Sequence, residues 1–192
     1  NTAQSGDGAD IISKTGSITT TAGNIKAGKA GTIKAGQNID IKGVSGDGSD
    51  GEVVEAKAVV AEKGSITTSV VTSVLNEVSA GTDVNISGAE LNAGAVKAQN
   101  GAINATSADI KINAVTNADQ AVSAATDISA KSISGASTVT AVSGRIDVEN
   151  TVSATGDVTA GADIEAGSVS GANVSATAIK TTAGNLTATG NV

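Results

Sequence analysis

Phenylalanine, tryptophan, tyrosine, methionine, proline, histidine and cysteine are all missing from this 192-residue chain. A globular core of that size normally draws on aromatic side chains, which bury the most area per residue. Only Ile, Val, Ala and a few Leu are present to build one, so the core has to be thin, with backbones kept close together. Without cysteine there is no disulfide framework and no thiolate site. Without histidine the usual nucleophile–base pairs and zinc sites are excluded as well. The missing aromatics also remove stacking platforms for single strands or sugars. Acidic residues outnumber basic ones by 19 to 12, which argues against nucleic acid as a partner, since phosphate binding needs basic clusters. No apolar run approaches the ~20 residues needed to span a bilayer. Asn1 opens no charged-then-apolar leader, so the chain reads as a mature protein or as a segment of a longer one.

High Ala, Ser, Thr, Gly and Asn content resembles that of disordered chains, but here the β-branched residues are numerous and regularly spaced. A short unit recurs: small residue, polar residue, Ile/Val/Leu, polar residue, small or apolar residue. Gly16-Ser17-Ile18-Thr19-Thr20, Gly31-Thr32-Ile33-Lys34-Ala35, Gly144-Arg145-Ile146-Asp147-Val148 and Gly156-Asp157-Val158-Thr159-Ala160 are copies of it. The internal period is two, so the large aliphatic and the residue two places on share one face of a short strand.

Spacing between units sets the expected architecture. In the last third the anchors are Ile146, Val152, Val158, Ile164, Val169, Val174, Ile179, Leu186 and Val192. Taken three at a time, Ile146, Ile164 and Ile179 begin successive coils. The expectation is an all-β, right-handed parallel β-helix (β-solenoid) with roughly triangular coils of about 15–20 residues. Handedness follows from the rule for parallel crossovers. Stacked at ~4.8 Å, about ten coils make a rod some 50 Å long. Ala or Gly fits where the chain turns, and the glycines are expected to supply corner conformations that other residues resist. A β-sandwich competes less well, because its turns recur every ~8–12 residues around an aromatic core. The whole of 1–192 reads as one rod with a less regular region at about 44–80. There Val70, Val71, Val74, Leu75 and Val78 fall at helical spacing although β-branched residues are mediocre helix formers.

Ala22-Gly23-Asn24-Ile25-Lys26-Ala27-Gly28, Ala80-Gly81-Thr82-Asp83-Val84-Asn85-Ile86-Ser87 and Ala125-Thr126-Asp127-Ile128-Ser129-Ala130 resemble filamentous-haemagglutinin repeats. The segment from Gly156 to Val192 is similar, too, to bactofilins, β-helices that polymerise end to end. The first resemblance implies the shaft of an exoprotein secreted by the two-partner route in Gram-negative bacteria, exported to the cell surface and carrying an adhesive element. Both imply a structural part, and the amino-terminal secretion domain of the first family is not recognisable here.

One ligand has a motif. Ser5-Gly6-Asp7-Gly8-Ala9-Asp10-Ile11-Ile12-Ser13 nearly matches the glycine-rich nonapeptide of calcium-binding β-rolls, and Ser45-Gly46-Asp47-Gly48-Ser49-Asp50-Gly51 matches its first half. Asp7, Asp10, Asp47 and Asp50 are therefore the candidate calcium ligands. An acidic glycine-rich surface loop accounts for the same residues. Arg145 stands beside Asp147 and Glu149, which alternation puts on one outward edge; a surface ion pair explains them more simply than a polysaccharide-cleaving site, and the chain is not expected to be an enzyme. Thr-rich faces on β-helices can order water as ice. The residues following the anchors, however, include Lys26, Lys34, Asp40, Lys111, Asp147 and Glu165 among the hydroxyls. The expected function is a structural rod of a cell-surface or extracellular fibre or adhesin, stacking end to end on its own kind or on more of a longer chain. A calcium-binding β-roll and an ice-binding β-helix are the alternatives. Other expected partners are a host or cell-surface receptor.

Overall fold

Ile or Val flanked by polar residues cannot bury both faces, so each short strand needs a neighbour on the apolar side and another along its edge. The computed structural model describes residues 10–20, 25–41, 53–69, 71–87, 90–112 and 120–192. Among them are twenty strands, from Ile11–Ser13 to Leu186–Ala188, joined in one continuous sheet, and no helix. Every strand pairing is parallel, as between Ile128–Ala136 and Ile146–Ala154 and between Ile146–Ala154 and Ile164–Gly171. The chain is a parallel β-solenoid.

Three vertical ladders define three faces. The first runs Ile18, Ile39, Ile66, Val84, Ile103, Ile128, Ile146, Ile164, Ile179. On the second, Ile25, Val54, Thr72, Leu91, Ile110, Ile133, Val152, Val169 and Leu186 follow one another. The third runs Ile11, Ile33, Val59, Val78, Val96, Val122, Val139, Val158, Val174. The nine anchors of the last third sort cleanly onto these faces, three to each. Val192, at the start of a further third-face rung, is placed by Asn191, whose carbonyl accepts Val174 N–H at 2.9 Å.

Interior anchors are sealed: Ile39, Ile103, Ile128 and Ile146 are each 0% exposed. Burying such a side chain contributes about 1.5–3 kcal/mol. Two places after the third-face anchors from Ile33 to Val158 stands an alanine column, Ala35, Ala61, Ala80, Ala98, Ala124, Ala141 and Ala160, all buried. That column lies where the chain leaves the third face for the first, and small side chains there let the two walls of the prism meet. A larger residue would push them apart, which is why the core tolerates a sequence without aromatics.

Along the first ladder the anchors advance by 21, 27, 18, 19, 25, 18, 18 and 15 residues. Most coils are of the expected size. The two longest steps include segments 42–52 and 113–119, which lie outside the described residues, and the rungs on either side still pair in register. Within the stretch expected to be irregular, Val53–Ala61 and Val71–Ala80 are strands of the same sheet, their pairing interrupted by one register shift between Ala56 and Ala58. Val74 and Val78, two of the valines at helical spacing, are both buried in this strand, one on each side of the bend where it passes from the second face to the third.

Candidate functional site

In a solenoid rod the surfaces open to partners are the outward columns and the coil corners. On the first face the outward column reads Thr19, Asp40, Thr67, Asn85, Asn104, Ser129, Asp147, Glu165, Lys180. Asn104 Nδ2 donates to Asn85 Oδ1 at 2.8 Å, one rung of a carboxamide ladder. Asp147 and Glu165 are stacked neighbours, and their repulsion is offset from two sides. Arg145 Nη2 lies 2.9 Å from Asp147 Oδ2, and Lys180 Nζ lies 2.5 Å from Glu165 Oε1. The Lys180 hydrogen bond and charge hold Glu165 below its ordinary carboxylate pKa of 4.5, with Arg145 adding to the effect. Lys34 does the same for Glu62 across 2.7 Å. Glu149 is exposed. All these groups are solvent-facing ion pairs of small energetic weight.

The second face changes character along the rod. From Ser132 on, the residues flanking its anchors are Ser132, Thr151, Ser168 and Asn185 on one side and Ser134, Ser153, Ser170 and Thr187 on the other. None of the eight is charged, and Thr151 Oγ1 and Ser168 Oγ hydrogen-bond between successive coils at 3.0 Å. Residues following the anchors read as one mixed series in the sequence; the fold distributes them over three faces and concentrates the charges of the later coils on the first.

The corner between the third and first faces carries the most regular chemistry. Counting from the residue after the inward small residue to the one before the next anchor, it holds Lys14–Ser17, then Gly36–Asn38, Glu62–Ser65, Gly81–Asp83, Gln99–Ala102, Ala125–Asp127, Val142–Arg145 and Gly161–Asp163. The lengths alternate four, three, four, three through eight coils; the ninth corner is Thr177–Ala178. Each type needs the other. The three-residue corner ends in Asn or Asp, and its Oδ1 accepts a backbone N–H from the coil above: Ser65 at 2.9 Å from Asn38, Ala102 at 2.9 Å from Asp83, Arg145 at 2.8 Å from Asp127. Above that oxygen the four-residue corner places glycine. A Cβ on Gly64, Gly101 or Gly144 would run into Asn38, Asp83 or Asp127 and the backbone beside it. In return the glycine carbonyl accepts an N–H from the following three-residue corner, as Gly64 does from Thr82 at 3.2 Å and Gly144 from Ala162 at 2.9 Å.

The glycines therefore serve close approach of stacked backbones, which corrects the expectation that they supply special corner conformations. Among the described residues only Gly135, φ 75°, and Gln120, φ 54°, are left-handed.

Of the candidate calcium ligands, Asp7, Asp47 and Asp50 lie outside the described residues. Asp10 is described, and its Oδ1 accepts Thr32 N–H at 2.8 Å, the same corner-bridging role that Asp157 plays toward Asn173 on this face. Among the described residues no three carboxylates cluster as metal ligands would. A shallow groove of about 450 Å³ on the third face is lined by Lys97, Gln99, Ser123, Thr138, Thr140 and Val142 together with four alanines. Comparisons of the chain with family models, curated proteins and solved structures gave no match.

Proposed function

We propose that this chain is a structural repeat rod of a bacterial extracellular fibre or cell-surface adhesin, extended by coil-on-coil stacking. The observation that carries the reading is the unbroken run of three parallel ladders, in which every coil is both the floor of the next and the roof of the last. Such a stack gains stability per coil added and spends its sequence on length. Leu186 is 37% exposed where Val169, one rung below, is 1% exposed, so a further coil on that face buries the same kind of area again. Its partners are a continuing coil at the rod ends and a receptor reached through whatever the rod displays. The likeness of its repeats to haemagglutinin shafts supports a place outside a Gram-negative cell. Cryo-electron microscopy of the native preparation tests this: filaments or tethered rods with a ~4.8 Å axial repeat are expected. Globular particles would overturn it.

A second reading, binding to ice, is favoured by one observation, the uncharged residues flanking the second-face anchors from Ser132 to Thr187, all but Asn185 bearing a hydroxyl. Thermal hysteresis in a solution of the chain, abolished by Ser153→Lys, is its expected sign. Freezing at the colligative temperature contradicts it.

A further inference from the structure

Within the rod reading, the corner alternation identifies the partner of the lower end. Every four-residue corner with a coil described beneath it rests on a three-residue corner ending in Asn or Asp. The backbone N–H before its anchor donates down to that side chain: Ser65 to Asn38, Ala102 to Asp83, Arg145 to Asp127. Its glycine sits where a Cβ would strike the same carboxylate or carboxamide. The lowest described corner, Lys14-Thr15-Gly16-Ser17, is of the four-residue type. Its glycine has no such obstacle among the described residues: a Cβ on Gly16 would meet only Ser13 Oγ, at 3.1 Å. Gly16 and the Ser17 N–H thus repeat the upper half of an interface whose lower half, elsewhere in the rod, is always Asx.

We infer that the face below Gly16 and Ser17 is a docking surface for a β-coil bearing a three-residue corner that ends in Asn or Asp, and not for a coil with a corner of the Thr177–Ala178 form. The uppermost first-face corner, Thr177–Ala178, offers no side-chain oxygen before Ile179 and has two residues instead of three. A coil with that corner would leave Ser17 N–H without its acceptor. The occupant that fits is another repeat of the Gly81-Thr82-Asp83 or Gly161-Ala162-Asp163 kind, which continues the interface already present at three levels of the rod.

The test places one native coil ahead of Asp10, in place of residues 1–9, with the unaltered full chain as reference. One version carries a copy of residues 158–172, which contains the three-residue corner; the other carries a copy of 139–156, which contains the four-residue corner Val142–Arg145. Hydrogen exchange at the Ser17 amide is expected to slow by at least ~100-fold with the first coil and to change by less than ~3-fold with the second. Adding Gly16→Ala to the first version is expected to cancel the gain. Equal protection by both coils or by neither overturns the inference. The interior amides of Ile66, Ile103 and Ile146 report the rod itself in the same experiment. Their rapid exchange in the unaltered chain would contradict the rod reading instead.

Discussion

A methyl group on Gly144 would land on Asp127 Oδ1 and on the Thr126 carbonyl, and the carbonyl, being backbone, cannot swing away. Gly144→Ala is therefore expected to cost about 1–3 kcal/mol in a denaturant titration, the usual penalty for overpacking. Gly16→Ala, facing only the Ser13 hydroxyl, is expected to cost less than ~1 kcal/mol. Equal costs would mean that coil-to-coil approach is not what selects glycine. In the ladders, Ile103→Ala removes a fully buried side chain from the middle of the rod and is expected to cost about 2–5 kcal/mol. Ile179→Ala, half-buried on the last first-face rung, should cost clearly less. The ion pairs make a weaker, signed contribution. Glu62 and Glu165 are held below the ordinary 4.5 by Lys34 and Lys180, so what they add is present above that value and lost as pH falls through their lowered values. Lys180→Met should lower the melting temperature slightly at neutral pH and leave it unchanged once both carboxylates are protonated. A difference that widens in acid would contradict the assignment.

Corners and strands are where the chain's grammar resides. Inserting a serine between Thr126 and Asp127 turns a three-residue corner into a four-residue one and pulls Asp127 Oδ1 away from Arg145 N–H. Losing this exposed hydrogen bond costs about 0.5–1.5 kcal/mol, and exchange should accelerate locally at Arg145 and Ile146 rather than throughout the rod. Uniform acceleration would mean that the corner carries no local register. Much of this level was legible in the sequence. The period-two units gave the strands, and the anchors from Ile146 to Val192 fell on the three faces in the order read. The corner alternation was not legible, because a difference of one residue is hidden among coil steps that range from 15 to 27. Nor does sequence show what a glycine faces: Gly81 is written like any turn glycine, yet a Cβ there would lie 2.5 Å from the Glu62 carbonyl oxygen of the coil below. The candidate ligand Asp10 meets the same limit: the Gly-x-Asp spelling is shared by metal loops and by corners whose carboxylate caps a neighbouring N–H, as Asp10 does for Thr32.

Across the whole molecule the faces differ in chemistry while the core repeats. Asp147, Glu165, Lys180 and Arg145 gather ionic groups on the first face, and the second face over the same coils is neutral and hydroxylated. A rod built this way has sides, so a partner approaching laterally meets a different surface at each face, while one stacking end-on meets backbone edges and the corner code. Both kinds of contact depend on the coils lying flat and parallel at constant rise. X-ray diffraction from an aligned native preparation measures that directly. A meridional reflection near ~4.8 Å, with strands perpendicular to the rod axis, is the predicted result. A ~4.8 Å reflection on the equator, or none at all, would place the strands along the axis or abolish the stack, and would contradict the account.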